Sequence, residues 1–340
     1  MSVVMNAAAS EYMTSRLREE RQGLFPAEAG GALEKAHGRT ARVIEQLRQA
    51  RLSLERAALP ELHLSPAIRA LSRTAARLGR PLRVAILGEI NSGKSTLANL
   101  LAGVDRTLLP TAIISNTLIP TLLYYADEPE IWIEHFSGRR ERLSGDSSLP
   151  EQPIFRIDVG LPSRRLRRMQ ILDLPGFTCP VTGSVVVDTA AHNVDAAIWC
   201  TMSTQAWKES ERCAWEMLPP RIGSRALLVA THCDLLHNPD DRQKLRTRLK
   251  EQVRGLFQGV ILLSTLEAMA GNRKGHPEAA SDASGAHALE SALGALLLNL
   301  REQRAAAAVR MTGRIAQRAL TRIDNGLGFG SAQEHSLPSL

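Results

Sequence analysis

Residues 84–103, VAILGEINSGKSTLANLLAG, leave few choices of fold. Val84, Ala85, Ile86 and Leu87 form an apolar run of strand length, and Leu97, Leu100 and Leu101 recur at helical spacing. The chain between them must turn a buried strand directly into a helix N-terminus. That turn reads Gly88-x-x-x-x-Gly93-Lys94-Ser95, the phosphate-loop pattern. Backbone N–H groups across Gly88, Glu89, Ile90, Asn91, Ser92, Gly93 and Thr96 wrap a chain of phosphates, Lys94 reaches the outer two, and the Ser95 hydroxyl is placed for Mg²⁺. The following helix adds its positive dipole end to the same spot. An α/β layer architecture with a mainly parallel sheet is the expected fold class.

Two later strands carry matching chemistry. MQILDLPG, residues 169–176, ends in Asp173-Leu174-Pro175-Gly176, where Asp173 is placed to hold the hydration shell of Mg²⁺ and the Gly176 N–H to meet a γ-phosphate. RALLVATHCDLL runs from a buried strand, Ala226 to Ala230, into Thr231-His232-Cys233-Asp234. A carboxylate at that strand end can accept both the ring N–H and the exocyclic amine of guanine, a donor pair adenine lacks. Leaving such a buried acceptor unpaired is costly, so the expected base is guanine. GVILLST ends in Ser264 and Thr265, whose backbone is positioned to line the base pocket. Upstream, Thr117, with Thr111 as its rival, lies in a polar stretch suited to closing over Mg²⁺ and the γ-phosphate.

Taken in order, G-E-I-N-S-G-K-S-T, the T-x-x-P at Thr117, D-L-P-G and T-x-x-D resemble the GTPase domain of the dynamin superfamily, specifically its bacterial dynamin-like members. One departure stands at His232, where lysine usually packs over the base. The segment from Thr117 to Asp173 is longer than a small GTPase needs and reads as added strands: TLLYYAD, EIWIEHF and PIFRIDVG. The resemblance implies GTP binding and hydrolysis to GDP and phosphate. It also implies nucleotide-dependent pairing of two GTPase domains, in a homodimer or with a companion dynamin-like protein, and action at membranes. Small GTPases place a water-orienting glutamine after the D-x-x-G glycine, but here that residue is Phe177. Asn91 has two readings. Its side-chain carbonyl can coordinate a monovalent cation such as K⁺ between the α- and γ-phosphates, as in related potassium-dependent GTPases, or it is an asparagine that tolerates unusual loop dihedrals. The expected catalytic set is Asn91, Lys94, Thr117 and Gly176, with Ser95, Thr117 and Asp173 on the metal.

The flanks read as helices. Residues 1–28 show little periodicity and are expected to be a loose arm. In 29–80, Leu33, Thr40, Leu47 and Leu54 repeat every seven residues, with Ala36, Val43, Ala50 and Ala57 three behind. Pro60 ends that helix, and Ser65-Pro66 opens a second with Ile68, Leu71, Ala75 and Leu78 inward and Gly79 as its stop. The expected GTPase domain covers 81–270, a polar linker 271–286, and a long helix 287–326 with Leu289, Leu293, Leu296, Leu300, Met311 and Ile315 on its apolar side, followed by a tail, 327–340. These flanking helices are expected to form a three-helix bundle. No long stalk, lipid-binding module or transmembrane paddle is expected in these residues.

Cys179, Cys200, Cys213 and Cys233 show no metal spacing, and no apolar run reaches membrane-spanning length, so a reduced, cytoplasmic protein, peripheral at the inner membrane, is expected. The net charge of +7 asks for an anionic partner or serves solubility. Arg164, Arg165, Arg167 and Arg168 form one cluster and Arg310, Arg314, Arg318 and Arg322 another. Each is a solvated face or a dock for anionic lipid. With 4% aromatics and none among the arginines, nucleic acid is the weaker partner. An RNA- or ribosome-associated GTPase and a nucleotide-gated scaffold with little turnover are the alternative readings.

Overall fold

The computed structural model describes residues 30–56, 64–104, 119–143, 149–177, 194–273 and 284–326. Thr111, Thr117 and Cys179, the loose arm, the tail and most of the linker lie outside the described residues. The apolar runs form a nine-stranded sheet: β1 Leu82–Gly88, β2 Thr121–Tyr125, β3 Glu130–His135, β4 Arg140–Leu143, β5 Ile154–Leu161, β6 Met169–Asp173, β7 Ala196–Met202, β8 Ala226–Thr231 and β9 Gly259–Leu262. Their order is β4-β3-β5-β2-β6-β1-β7-β8-β9. From β6 to β9 every pairing is parallel, which is why β1, β7 and β8 read as continuous apolar runs buried on both faces. β2 turns antiparallel on β6 and carries the added strands: β5 parallel to it, then β3 and β4 antiparallel. The mainly parallel sheet with added strands is therefore present. β4, RERL, is a strand the sequence gives no apolar alternation for.

The described α-helices are α1 Gly30–Arg56, α2 Ser65–Gly79, α3 Lys94–Ala102, α4 Glu209–Glu216, α5 Pro220–Gly223, α6 Pro239–Gln252, α7 Thr265–Arg273 and α8 Ala286–Gly326. One face of the sheet packs Val84, Ile86, Ile171 and Ile198 against α3 and the first half of α8, where Leu289, Leu293, Leu297 and Leu300 are buried. The other face buries Ala85, Leu87, Leu172 and Trp199 with Trp207, Trp215, Leu245 and Leu249. Trp199 stands at the centre of an aromatic group, with Trp215, Trp207 and Phe177 at ring distances of 5.6, 6.2 and 5.5 Å.

At 41 residues α8 is about 60 Å long and leaves the sheet to pack with α1 and α2. Ala36, Leu78, Ala305 and Ala308 form one apolar layer, and Ile44, Leu47, Leu64, Ile68, Leu71 and Ala319 another. The two layers make α1 and α8 parallel and α2 antiparallel to both. Between them Thr40 and Thr312, both fully buried, share a hydrogen bond of 3.0 Å. Thr312 explains one correction. Met311, expected on the apolar side of this helix, is 43% exposed, because the buried phase runs through 305, 308, 312 and 319 and the hydroxyl of Thr312 finds its partner there.

A carboxylate joins these helices to the sheet. Asp195, just before β7, accepts from Arg80 at 2.9 Å, from Arg304 of α8 at 2.6 Å and from the Arg83 N–H at 2.9 Å. Arg304 also donates to the carbonyls of Arg77 and Arg80, closing the end of α2. Of the first arginine cluster, Arg165 donates to the Leu100 carbonyl and pairs with Glu290 of α8, while Arg167 lies 4.3 Å over the Tyr125 ring. Both are engaged within the chain. Arg310, Arg314 and Arg318 are exposed, and the side chain of Arg322 lies outside the described residues.

Burial alone would raise the Asp195 carboxyl, but hydrogen bonds from Arg304 and the Arg83 amide hold it below the usual range. Its stabilisation is present above the unfolded value of ~3.9 and is lost as pH falls through the lower folded value. Asp195→Asn should therefore cost about 2 kcal/mol in urea unfolding at neutral pH. The cost should shrink as pH falls below ~4 and vanish below the lower folded value, where wild type also loses the charge. A neutral-pH change under ~0.5 kcal/mol would contradict the clasp.

Candidate functional site

The phosphate loop hangs from the C-terminal end of β1, in the middle of the parallel half of the sheet, between β6 and β7. Gly88 makes the turn with φ +140°, and a Cβ there would lie 2.2 Å from the Cys200 carbonyl and 2.8 Å from Ser92 Oγ. No side chain fits. Asn91 follows with φ 62° and Gly93 with φ 82°, so the loop takes the left-handed region twice before α3 begins at Lys94. Asparagine enters that region more readily than most residues, so the backbone alone accounts for asparagine at 91.

The loop is braced from three sides. Phe177 N–H donates to the Gly88 carbonyl at 3.2 Å, and a Cβ on Gly176 would meet Ile90 N at 2.8 Å. The Asp-Leu-Pro-Gly segment therefore lies directly on the loop. Thr231 donates its hydroxyl to the Ser92 carbonyl at 2.8 Å, and the His232 ring lies 3.3 Å from where a Gly93 Cβ would be. The residue in the usual lysine position thus packs on the phosphate loop, in a left-handed conformation of its own, φ 57°. The third brace is Glu89, whose carboxylate meets Lys208 and Ser210.

Lys94 is buried and its Nζ donates to the Glu89 carbonyl at 2.6 Å. Burial pulls its ammonium below the usual value, with Asp173 opposing. Asp173, at the end of β6, accepts a hydrogen bond from Ser95, and burial pushes its carboxyl up to about 6 against that bond and the charge of Lys94. Asp173 Oδ1 and Ser92 Oγ are both buried without a hydrogen-bond partner. Buried polar atoms are rarely left so. An orphaned carboxylate oxygen beside a serine hydroxyl is a donor set for a hard divalent cation, so the residues fit Mg²⁺ held by Ser95 and by Asp173 through its hydration shell.

After β9, Ser264 Oγ donates to Asp234 Oδ1 at 2.9 Å, a side-chain contact beyond the backbone role expected for Ser264. Thr265 is buried at the start of α7. The Ser203 hydroxyl donates to the His232 carbonyl at 2.8 Å, tying the segment after β7 to the base motif. Phe177, in the glutamine position of small GTPases, is 8% exposed and packs on Trp199, facing the core. Sequence reasoning missed Lys208, Ser210, Thr201 and Ser203. They lie far along the chain from what they hold, and no local pattern marks them.

No family model matches the chain. Among curated proteins it is 26% identical over 217 residues to Dynamin-like protein 2 of Campylobacter jejuni, covering 62% of this chain and 35% of that protein. It is 34% identical over 133 residues to the isoniazid-induced protein IniC of Mycobacterium tuberculosis, covering 36% of this chain and 26% of that one. Its fold matches one chain of an oligomerised bacterial dynamin pair, described as a mechanism for long-range sensing and tethering of membranes. That match has a TM-score of 0.55, with 17% identity, 86% of this chain and 47% of the other. The resemblance to bacterial dynamin-like proteins is thus found again in sequence and in fold. The chain spans about a third or less of these curated relatives and about half of the solved chain.

Gly88→Ala should force the loop off the Cys200 carbonyl, lower the melting temperature and abolish retention of nucleotide on a desalting column. Gly79→Ala, whose Cβ would meet nothing within 4 Å, should leave both unchanged. Retention of nucleotide by Gly88→Ala would contradict the close approach.

Proposed function

We propose that this chain binds GTP with Mg²⁺ and hydrolyses it to GDP and phosphate, and that hydrolysis is coupled to pairing of two such domains at a membrane surface. The observation that carries the reading is the convergence of Lys94, Ser95, Asp173 and Gly176 on one loop, with Asp234 held by Ser264 at the base end. Lys94 supplies positive charge to the phosphates, and the loop N–H groups supply fixed dipoles where charge develops. Ser95 and Asp173 would hold Mg²⁺, which when bound would supply charge neutralisation at the phosphate oxygens. Ser264 takes one lone pair of Asp234 Oδ1 and orients the carboxylate, whose two oxygens are left to accept the two donors of guanine, one each.

Partner and place are carried over from similar proteins. A dynamin-like partner, or a second copy, fits the oligomerised pair whose fold this chain shares. No described helix is long and apolar enough to cross a membrane. The domain division proposed is 81–270 for nucleotide, with helices on both sides joined to it by the Asp195 clasp. A monovalent cation at Asn91 belongs to the same proposal. Asn91→Ala should lose any excess of GTPase rate in potassium over sodium, and equal parent rates in the two salts would leave Asn91 its backbone role.

Asp234→Asn should convert preference from guanine to xanthine nucleotides, because the amide donates where the carboxylate accepted. The wild-type preference for GTP over ATP should be ~10⁴ or greater, as for sites built on a paired buried acceptor. Competition binding that finds the variant still selecting GTP would remove the base assignment. Lys94→Ala should abolish binding or turnover while circular dichroism is unchanged.

A further inference from the structure

Glu89 is out of place by charge: a carboxylate inside the loop that is to receive a polyanion. Its surroundings show how the fold manages it. Lys208 Nζ lies 2.7 Å from Oε2 and Ser210 Oγ 2.5 Å from Oε1, and these groups hold the carboxyl below its usual range although burial opposes them. The backbone of the same residue faces the nucleotide side, since its carbonyl accepts Lys94 Nζ at 2.6 Å and the Ser92 N–H at 3.3 Å. Glu89 therefore stands between two cations, Lys94 on its carbonyl and Lys208 on its carboxylate.

The backbone of Lys208 is held in place, while its side chain is 45% exposed. Its N–H donates to Glu211 Oε2 at 3.1 Å, and Glu211 is 1% exposed. The same carboxylate oxygen accepts the Thr201 hydroxyl at 2.8 Å, and Thr201 Oγ1 in turn accepts the N–H of Trp207 at 3.0 Å. Trp207 takes φ 59°, a conformation unfavourable for a bulky residue and sustained here by these bonds and by packing on Trp199. Thr231 Oγ1, which donates to the Ser92 carbonyl at 2.8 Å, lies 3.2 Å from the Thr201 carbonyl. A buried acid thus sets the start of α4 against the phosphate loop, and Lys208 is the residue this arrangement presents to Glu89.

Resting on the nucleotide reading above, we propose that Lys208 is a positioning residue that sets triphosphate affinity by neutralising Glu89, so that the loop presents no free carboxylate to the phosphates. Lys208 acts through Glu89 and does not itself meet the nucleotide. The pair explains how a phosphate loop tolerates an acid beside its first glycine. Removing the cation alone leaves an unneutralised carboxylate one residue from the first glycine of the loop; removing both charges leaves an uncharged loop of nearly the same shape.

A binding cycle reads this directly. GTP dissociation constants are measured for the parent, Lys208→Gln, Glu89→Gln and the double variant, at low and raised salt. Lys208→Gln should weaken binding about tenfold at low salt, with the gap closing as salt screens the exposed carboxylate. Adding Glu89→Gln to Lys208→Gln should recover most of that loss, because the carboxylate left without its cation is gone. Parent-like affinity in Lys208→Gln would overturn the proposal. So would a double variant as weak as Lys208→Gln, which would mean that the cation touches nucleotide itself. A parent protein that binds no nucleoside triphosphate removes the reading of the site and the proposal with it, whereas a parent that binds without coupling in the cycle removes the proposal alone.

Discussion

The contact on which the rest depends is the approach of Gly88 to the carbonyl of Cys200. It exists because β1 runs parallel between β6 and β7, so three strand ends arrive together at one edge of the sheet. β1 delivers the loop, β6 delivers Asp173, and β7 delivers Thr201 and the segment leading to Lys208. A Cβ at residue 88 would lie 2.2 Å from the Cys200 carbonyl, so loop and strand would have to part. Every polar contact of the loop with Thr231, Phe177 and Ser210 is referenced to that position.

From this edge, order is passed outward through polar residues placed inside apolar surroundings. Glu211 is almost fully buried and accepts bonds from Thr201 and the Lys208 amide, and burial raises its carboxyl. Asp195 does the equivalent at the other end of β7, where it gathers Arg80, Arg83 and Arg304. One strand therefore carries at its two ends the links to the phosphate loop and to the long helix. α8 is buried first against the sheet and then against α1 and α2, so a shift at the site has a continuous path to the helices.

Much of this was legible in the sequence, for reasons that can be stated residue by residue. β1, β7 and β8 are buried on both faces, so they read as apolar runs, and a glycine-bounded loop between one such run and a helix has little freedom. Ser65-Pro66 and Gly79 marked α2 at both ends. The links were not legible. Glu89 and Lys208 are separated by more than a hundred residues, as are Arg83 and Asp195, and neither pair has a local pattern. Periodicity placed Met311 inward because it counts apolar residues and cannot foresee that two threonines will pair in the core. At Asn91 the left-handed backbone is an observation that spacing could not supply.

The central claim is that one loop and one strand-end carboxylate together hold a guanine nucleotide. The most direct test is a crystal structure with a non-hydrolysable GTP analogue and Mg²⁺. It should show Lys94 Nζ moved from the Glu89 carbonyl to the outer phosphates, the ion beside Ser95 and Asp173, and the guanine edge paired with the Asp234 carboxylate. Phosphates bound away from residues 88–96, or a base turned away from Asp234, would contradict it.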